Sequence, residues 1–180
     1  MIKMIIGLGG EPATGKSTIM KYFLGEGFKP IRFGLVYGYI NYDKKLVVIG
    51  KYEKDNKFPG TDKLSMAVQP HFMKFLEKLN LEHKYNGMSI LFEGDRLFNN
   101  KAITEIKAKK YKSKFIVLKV SEDVVEFRHK DRKDTQSEIF IKGRRTKYKN
   151  ILNLNKDIVV FDNNNLDDQK KIIEFMEGLI

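Results

Sequence analysis

Eight residues constrain this chain more than any others. Gly10-Glu11-Pro12-Ala13-Thr14-Gly15-Lys16-Ser17 fits the pattern G-x-x-x-x-G-K-[ST] at every fixed position. The apolar run Met4–Leu8 precedes it and reads as a buried strand. Lys16–Leu24 follows with helical spacing, putting Ile19, Met20, Phe23 and Leu24 on one face before Gly25. Glycines let backbone N–H groups wrap an anion, and a helix starting at the lysine points its positive end at the same place. On this reading Gly10 to Thr18 cradle the phosphates of a nucleoside triphosphate. Lys16 neutralises β- and γ-oxygens, and the Ser17 hydroxyl joins a magnesium shell. ATP and Mg²⁺ are therefore the expected cofactors; a plain glycine-rich turn is the alternative.

Further along, apolar runs bounded by turn residues alternate with helical periodicity. Phe28–Phe33 reads as a second strand. Leu35–Asn41 and Lys45–Tyr52 are β-rich and joined by a short polar turn, a hairpin over about 35–52. Ser65–Leu81 has helical spacing with a break or restart at Pro70. Met88–Glu93 is a strand, Lys101–Lys110 a helix and Phe115–Val120 a strand. Glu122–Arg132 and Ser137–Ile151 are helical around a polar middle, Ile158–Phe161 is a last strand, and Asp167–Leu179 closes the chain as a helix. This alternation predicts an α/β domain with a parallel sheet, whose ligands gather at the carboxyl ends of the strands. With no repeat, low-complexity tract or linker, residues 1–180 are expected to form a single domain.

The polar motifs fall at such strand ends. The run Ser89–Phe92 leads into Glu93-Gly94-Asp95-Arg96, the form of a Walker B segment, with Glu93 the candidate on the metal side. A simple Gly-Asp turn is the other reading of Asp95 and Arg96. Asp62, between the hairpin and the next helix, is placed to take a proton from an acceptor hydroxyl; equally, Thr61 or Asp62 would serve as a helix N-cap. Among 34 basic residues only six are arginine. Arg128, Arg132, Arg144 and Arg145 flank the polar stretch 133–138, and the first two, four apart, share a helix face. They read either as phosphate contacts or as a solvated basic face. Tyr37 and Tyr39 alternate on the hairpin, with Tyr42 and Tyr52 nearby. Stacking on an unpaired base is open to them, but packing on the sheet is favoured. Asn163-Asn164-Asn165 reads chiefly as a loop and helix cap.

With these residues in view, the chain resembles the P-loop kinases of the nucleotide and polynucleotide kinase group. That resemblance implies a three-layer P-loop NTPase fold: a five-stranded parallel sheet in the order 2-3-1-4-5, here with an inserted hairpin, and a mobile basic lid at about 128–150. It implies that Arg128 and Arg132 serve the nucleotide, while Arg144 and Arg145 spread charge on the transferring phosphoryl group. Asp95-Arg96 is similar to the Asp-Arg pair of thymidylate-kinase-like enzymes, whose arginine contacts a phosphate. Asp62 would correspond to the aspartate that acts as base in polynucleotide kinases. A closer resemblance is to phage 5-hydroxymethyluracil DNA kinases, carried by the phosphate loop, Gly60-Thr61-Asp62-Lys63-Leu64-Ser65, Phe92-Glu93-Gly94-Asp95-Arg96 and Lys142-Gly143-Arg144-Arg145-Thr146. Where that family has arginine, this chain has Lys63, which keeps the charge and loses the bidentate fork.

Composition narrows the partners. The formal net charge is +11, and residues 101–150 carry sixteen basic against seven acidic side chains. Such a stretch suits polyphosphate or nucleic acid, although lysine-rich compositional drift would give the same number. The absence of cysteine removes disulfides, thiolate zinc sites and cysteine nucleophiles. No apolar run approaches the roughly 18 residues of a membrane span and no signal-peptide pattern opens the chain, so a cytoplasmic location is expected, in a host cell if phage-encoded. Three functions follow: a kinase acting on 5-hydroxymethyluracil in DNA, a small-molecule nucleoside or nucleoside-monophosphate kinase, or a nucleotide-dependent switch or ATPase without acceptor.

Overall fold

The computed structural model describes residues 1–52, 60–131 and 138–180. Its elements in chain order are β1 (Met4–Gly10), α1 (Lys16–Phe23), β2 (Lys29–Phe33), β3 (Val36–Asn41), β4 (Leu46–Ile49), α2 (Val68–Leu81), β5 (Ser89–Glu93), α3 (Asn100–Ala108), β6 (Ser113–Lys119), α4 (Glu122–Asp131), α5 (Glu138–Leu154), β7 (Val159–Asp162) and α6 (Leu166–Glu177). Two 3-10 turns, Thr61–Lys63 and His83–Tyr85, flank α2.

The sheet differs from the expected five strands: among the described residues it has seven, in the order β2-β3-β4-β5-β1-β6-β7. Five of them, β4-β5-β1-β6-β7, run parallel. Counted along the chain among themselves they stand 2-3-1-4-5. The difference lies in the hairpin. Its second arm, β4, pairs in parallel with β5 and is thus the second strand of the parallel set. The run at 28–33 is instead the outermost strand, antiparallel to β3, which is antiparallel to β4. The sequence insert is therefore β2–β3.

Parallel strands covered on both faces read as unbroken apolar runs, and their side chains divide by the two-residue period. Ile5, Val47, Ile90, Phe92, Phe115 and Val117 face one core, against Phe72 and Leu76 of α2, Ile103 and Ile106 of α3, and Tyr148 and Ile151 of α5. Ile6, Leu8, Val48, Leu91, Ile116 and Leu118 face the other, against Ile19 and Met20 of α1 and Ile172 and Met176 of α6. Gly7 and Gly9 occupy the first face because aromatic rings fill the space above them. A Cβ at Gly7 would lie 2.7 Å from Phe92 Cζ, and one at Gly9 would overlap the Phe98 ring.

Pro70 does not break α2. It sits in the first helical turn, where a missing N–H leaves no bond unmade, and Ser65–Ala67 form the turn that leads in. Of the expected lid at about 128–150, residues 132–137 lie outside the described residues. Tyr148 and Ile151 are buried in the core, so the C-terminal half of α5 packs as a layer of the fold. No helix among the described residues is long and apolar enough to cross a membrane.

Candidate active site

Because β4, β5, β1, β6 and β7 are parallel, their carboxyl ends form one rim. The phosphate loop leaves it from β1. Lys16 opens α1, and its Nζ lies 2.8 Å from the carbonyl oxygens of Gly10 and Glu11 and 3.2 Å from Thr14 Oγ1. The ammonium is thus turned onto its own loop. Gly15 turns the chain into α1 with φ 87°, and a Cβ there would strike the Asn163 amide.

β5 delivers Glu93 beside that loop. Its carboxylate is 2% exposed, and Oε1 accepts hydrogen bonds from the Ser17 hydroxyl at 2.6 Å and the Tyr52 hydroxyl at 3.3 Å. Thr61 Oγ1 donates to the Glu93 backbone carbonyl, and Gly60 is packed so closely on the carboxylate that a side chain there would overlap it. Burial raises the Glu93 carboxyl to about 7, with the Asp62 charge adding to it, while Lys16, Ser17 and Tyr52 pull the other way. Ser17 and Glu93 offer a hydroxyl and a carboxylate, an oxygen-only pair suited to a magnesium ion that completes its shell with water and phosphate oxygens. Among the described residues no group of three or more His, Cys, Asp or Glu is placed to hold a metal.

Asp62 lies on the 3-10 turn, exposed, and a Cβ at Gly94 would stand 3.2 Å from its Oδ1. It does not cap α2, whose N-cap is Ala67, so the helix-cap alternative is overturned.

Asp95 is enclosed by α5. Arg144 Nη1 lies 2.6 Å from Oδ2, while Lys147 Nζ (2.9 Å) and the Tyr148 hydroxyl (2.7 Å) reach Oδ1. Burial pushes its carboxyl up, but Lys147, Tyr148 and Arg144 together outweigh burial and hold it below its ordinary value. Phe140 lies under the Arg144 guanidinium at 4.6 Å. Arg145 turns elsewhere, to Glu11 Oε2 at 3.4 Å and Glu122 at 3.7 Å. Arg96 keeps its Nε buried with no hydrogen-bond partner among the described residues, and its carbonyl accepts from Asn99, the cap of α3.

The loop's other flank is held from β7 and α4. Arg128 donates to the carbonyls of Ala13 (3.1 Å) and Asn163 (2.8 Å), and Asn163 Nδ2 donates to the Thr14 carbonyl at 2.7 Å. Asn163 is 3% exposed, and Asn165 caps α6. Beside them a cavity of about 400 Å³ opens between α4 and the β7–α6 loop. Its apolar rim includes Phe127 and Leu166, 71% and 74% exposed. Arg132 lies outside the described residues.

The structure thus brings Lys16, Ser17 and Glu93 together, and pairs Asp95 with Arg144. It adds Lys147 and Tyr148, which local spacing did not single out, and gives new contacts to three residues read otherwise from the sequence: Tyr52 as a hairpin aromatic, Thr61 as a helix cap and Asn163 as part of a loop.

No protein-family model matches this chain, and no curated protein matches it. Among solved structures it is similar to the crystal structure of a gluconokinase from Sinorhizobium meliloti 1021, with a TM-score of 0.44 and 15% sequence identity over 98% of this chain and 97% of that one.

Proposed function

We propose that this chain is an ATP- and magnesium-dependent kinase that transfers a γ-phosphoryl group to a hydroxyl or phosphate oxygen. The observation that carries the reading is the contact of Ser17 with the buried Glu93 carboxylate directly behind Lys16. A phosphate loop whose serine meets a strand-end acid is the arrangement phosphoryl transfer requires, because its catalysis is chiefly positioning and charge neutralisation.

Lys16 exchanges the carbonyls of Gly10 and Glu11 for phosphate oxygens when the nucleotide enters. The backbone of Gly10–Thr18 holds the β-phosphate, while Arg128 keeps the loop pinned to the β7–α6 loop. The cavity beside Phe127 and Leu166 has the size and apolar rim to take the base. A magnesium ion held by Ser17 and Glu93 would neutralise the β- and γ-oxygens. Asp62 accepts the acceptor's proton as the new O–P bond forms. Arg144 and Arg145 would spread charge on the transferring phosphoryl group and Arg96 would contact a phosphate, while Arg128 and Arg132 would serve the nucleotide.

For the acceptor, the motifs shared with the 5-hydroxymethyluracil DNA kinases favour the hydroxymethyl group of that base in DNA. A second reading, a small nucleoside or nucleoside monophosphate, is favoured by the hairpin. Tyr39 and Tyr52 have ring centroids 6.4 Å apart and Tyr52 is bonded to Glu93, so these rings are engaged inside the protein instead of offered to a base.

The test is transfer of label from γ-labelled ATP to a panel of acceptors: DNA with 5-hydroxymethyluracil, ordinary DNA, 5′-hydroxyl oligonucleotides, free nucleosides and monophosphates. Lys16→Ala is the blank. Label on the modified DNA alone supports the first reading, and label on a small acceptor supports the second. Phosphate released to water with no labelled acceptor would sink the kinase reading in favour of a nucleotide switch.

A further inference from the structure

Tyr52 has no assigned part in phosphoryl transfer, yet it reaches the most buried acid of the site. Its hydroxyl and that of Ser17 both donate to Glu93 Oε1, at 3.3 and 2.6 Å. No described residue donates to Oε2. Two donors on one oxygen fix the plane of a carboxylate and leave its second oxygen available. Ser17 has a second duty, because its oxygen is also the expected cation ligand. Tyr52 has none, so its hydrogen bond persists while Ser17 turns to the ion.

The tyrosine is itself held. Its backbone N–H donates to the Tyr39 hydroxyl at 3.3 Å, and the two rings pack at 6.4 Å. Lys51 and Gly60 exchange backbone hydrogen bonds of 3.0 and 2.7 Å. This bridge sets Tyr52 and Gly60, which both touch the carboxylate, on opposite sides of one narrow strand pair. Tyr39 belongs to β3, in the segment that extends the parallel sheet. A chain of contacts therefore runs from that extension to the metal end of the site.

We propose that Tyr52 is a positioning residue that aims the Glu93 carboxylate at the nucleotide's divalent cation, with Tyr39 as its anchor. The proposal rests on the reading above in one respect, that Glu93 serves that cation. Partners bound directly behind a metal-serving carboxylate commonly cost tenfold or more in metal affinity when removed.

The experiment is thermal unfolding of the full chain with a non-hydrolysable ATP analogue while magnesium chloride is titrated from EDTA upward. The wild type should gain melting temperature with magnesium. Tyr52→Phe keeps the ring and loses only the hydroxyl; its half-maximal magnesium concentration should rise by about tenfold, with the analogue's affinity in EDTA unchanged. Tyr39→Phe should give a smaller rise in the same direction. A purely packing role would alter the ligand-free melting temperature of both variants and leave the magnesium midpoint alone. A wild-type midpoint in Tyr52→Phe, or in Tyr39→Phe should Tyr52→Phe not fold, overturns this proposal while the kinase reading stands. A wild type that gains nothing from magnesium overturns both.

Discussion

Asp95 and Arg144 form a 2.6 Å ion pair that ties the loop after β5 to α5. Lys147 and Tyr148 bond the same carboxylate, so one acid satisfies three groups of a single helix. Asp95→Asn leaves Arg144 and Lys147 without their counter-charge in a partly buried setting and should cost about 1–3 kcal/mol of unfolding free energy. Urea denaturation at neutral pH measures it. The same carboxyl sits lower in the folded chain than in the unfolded one, so its stabilisation is complete above the unfolded carboxylate's range. It is lost as pH falls through the lower, folded value. The Asn variant should accordingly lose less stability on acidification than the wild type.

Glu93 runs the opposite way. Its carboxyl rises to about 7 on folding, so the folded chain binds the extra proton and ligand-free stability declines from roughly pH 4.5 to 7. Glu93→Gln removes the ionisation while its amide oxygen still accepts from Ser17 and Tyr52. The variant should be more stable than the wild type at pH 8, by on the order of 1–3 kcal/mol, with the gap closing toward pH 4.5. Melting curves across that range decide it, and magnesium-dependent nucleotide binding should be lost in the same protein.

Lys16→Ala removes the only side-chain cation of the phosphate-loop motif. Transfer should drop by at least about a hundredfold with the circular dichroism spectrum unchanged. A variant that retains half of the wild-type rate would exclude Lys16 from the reaction.

Asn163→Ala frees the Thr14 carbonyl inside a nearly closed contact. A loss of about 1–2 kcal/mol in stability, together with weaker nucleotide binding, is expected from calorimetry. Loss of stability with unchanged nucleotide affinity would confine Asn163 to holding the fold.

Gly7→Ala places a methyl group against the rings of Phe92 and Phe115 in the middle of the sheet. Overpacking of this kind costs about 1–3 kcal/mol, and chemical denaturation should show it without any change in the slope against denaturant.

What could be read from residues alone was whatever depends on local order. The phosphate loop is a set of fixed residue types at fixed spacing, and Glu93 ends an apolar run, so both were visible, as was the strand–helix alternation. Tyr52 was visible only as one more aromatic on a β-rich stretch, because its role depends on a partner 41 positions away. Asp95 and Arg144 were each legible, but their pairing spans α3, β6 and α4. The assignment of the second parallel strand failed for a related reason. β-propensity marks a strand without saying which neighbour it takes, so β2 was given the place in the parallel set that β4 occupies.

That outer strand has a consequence for how the protein behaves in company. Among the described residues β2 has no strand partner on one side of its backbone, the geometry on which a neighbouring chain can add itself. Its sequence, Lys-Pro-Ile-Arg-Phe, answers that hazard: Lys29, Pro30 and Arg32 are exposed, and the proline offers no N–H to a newcomer. Extension of the sheet is stopped by charge and by a missing donor at the place where it would otherwise invite aggregation. The composition of β2 thus works against edge-to-edge pairing of two copies of the sheet.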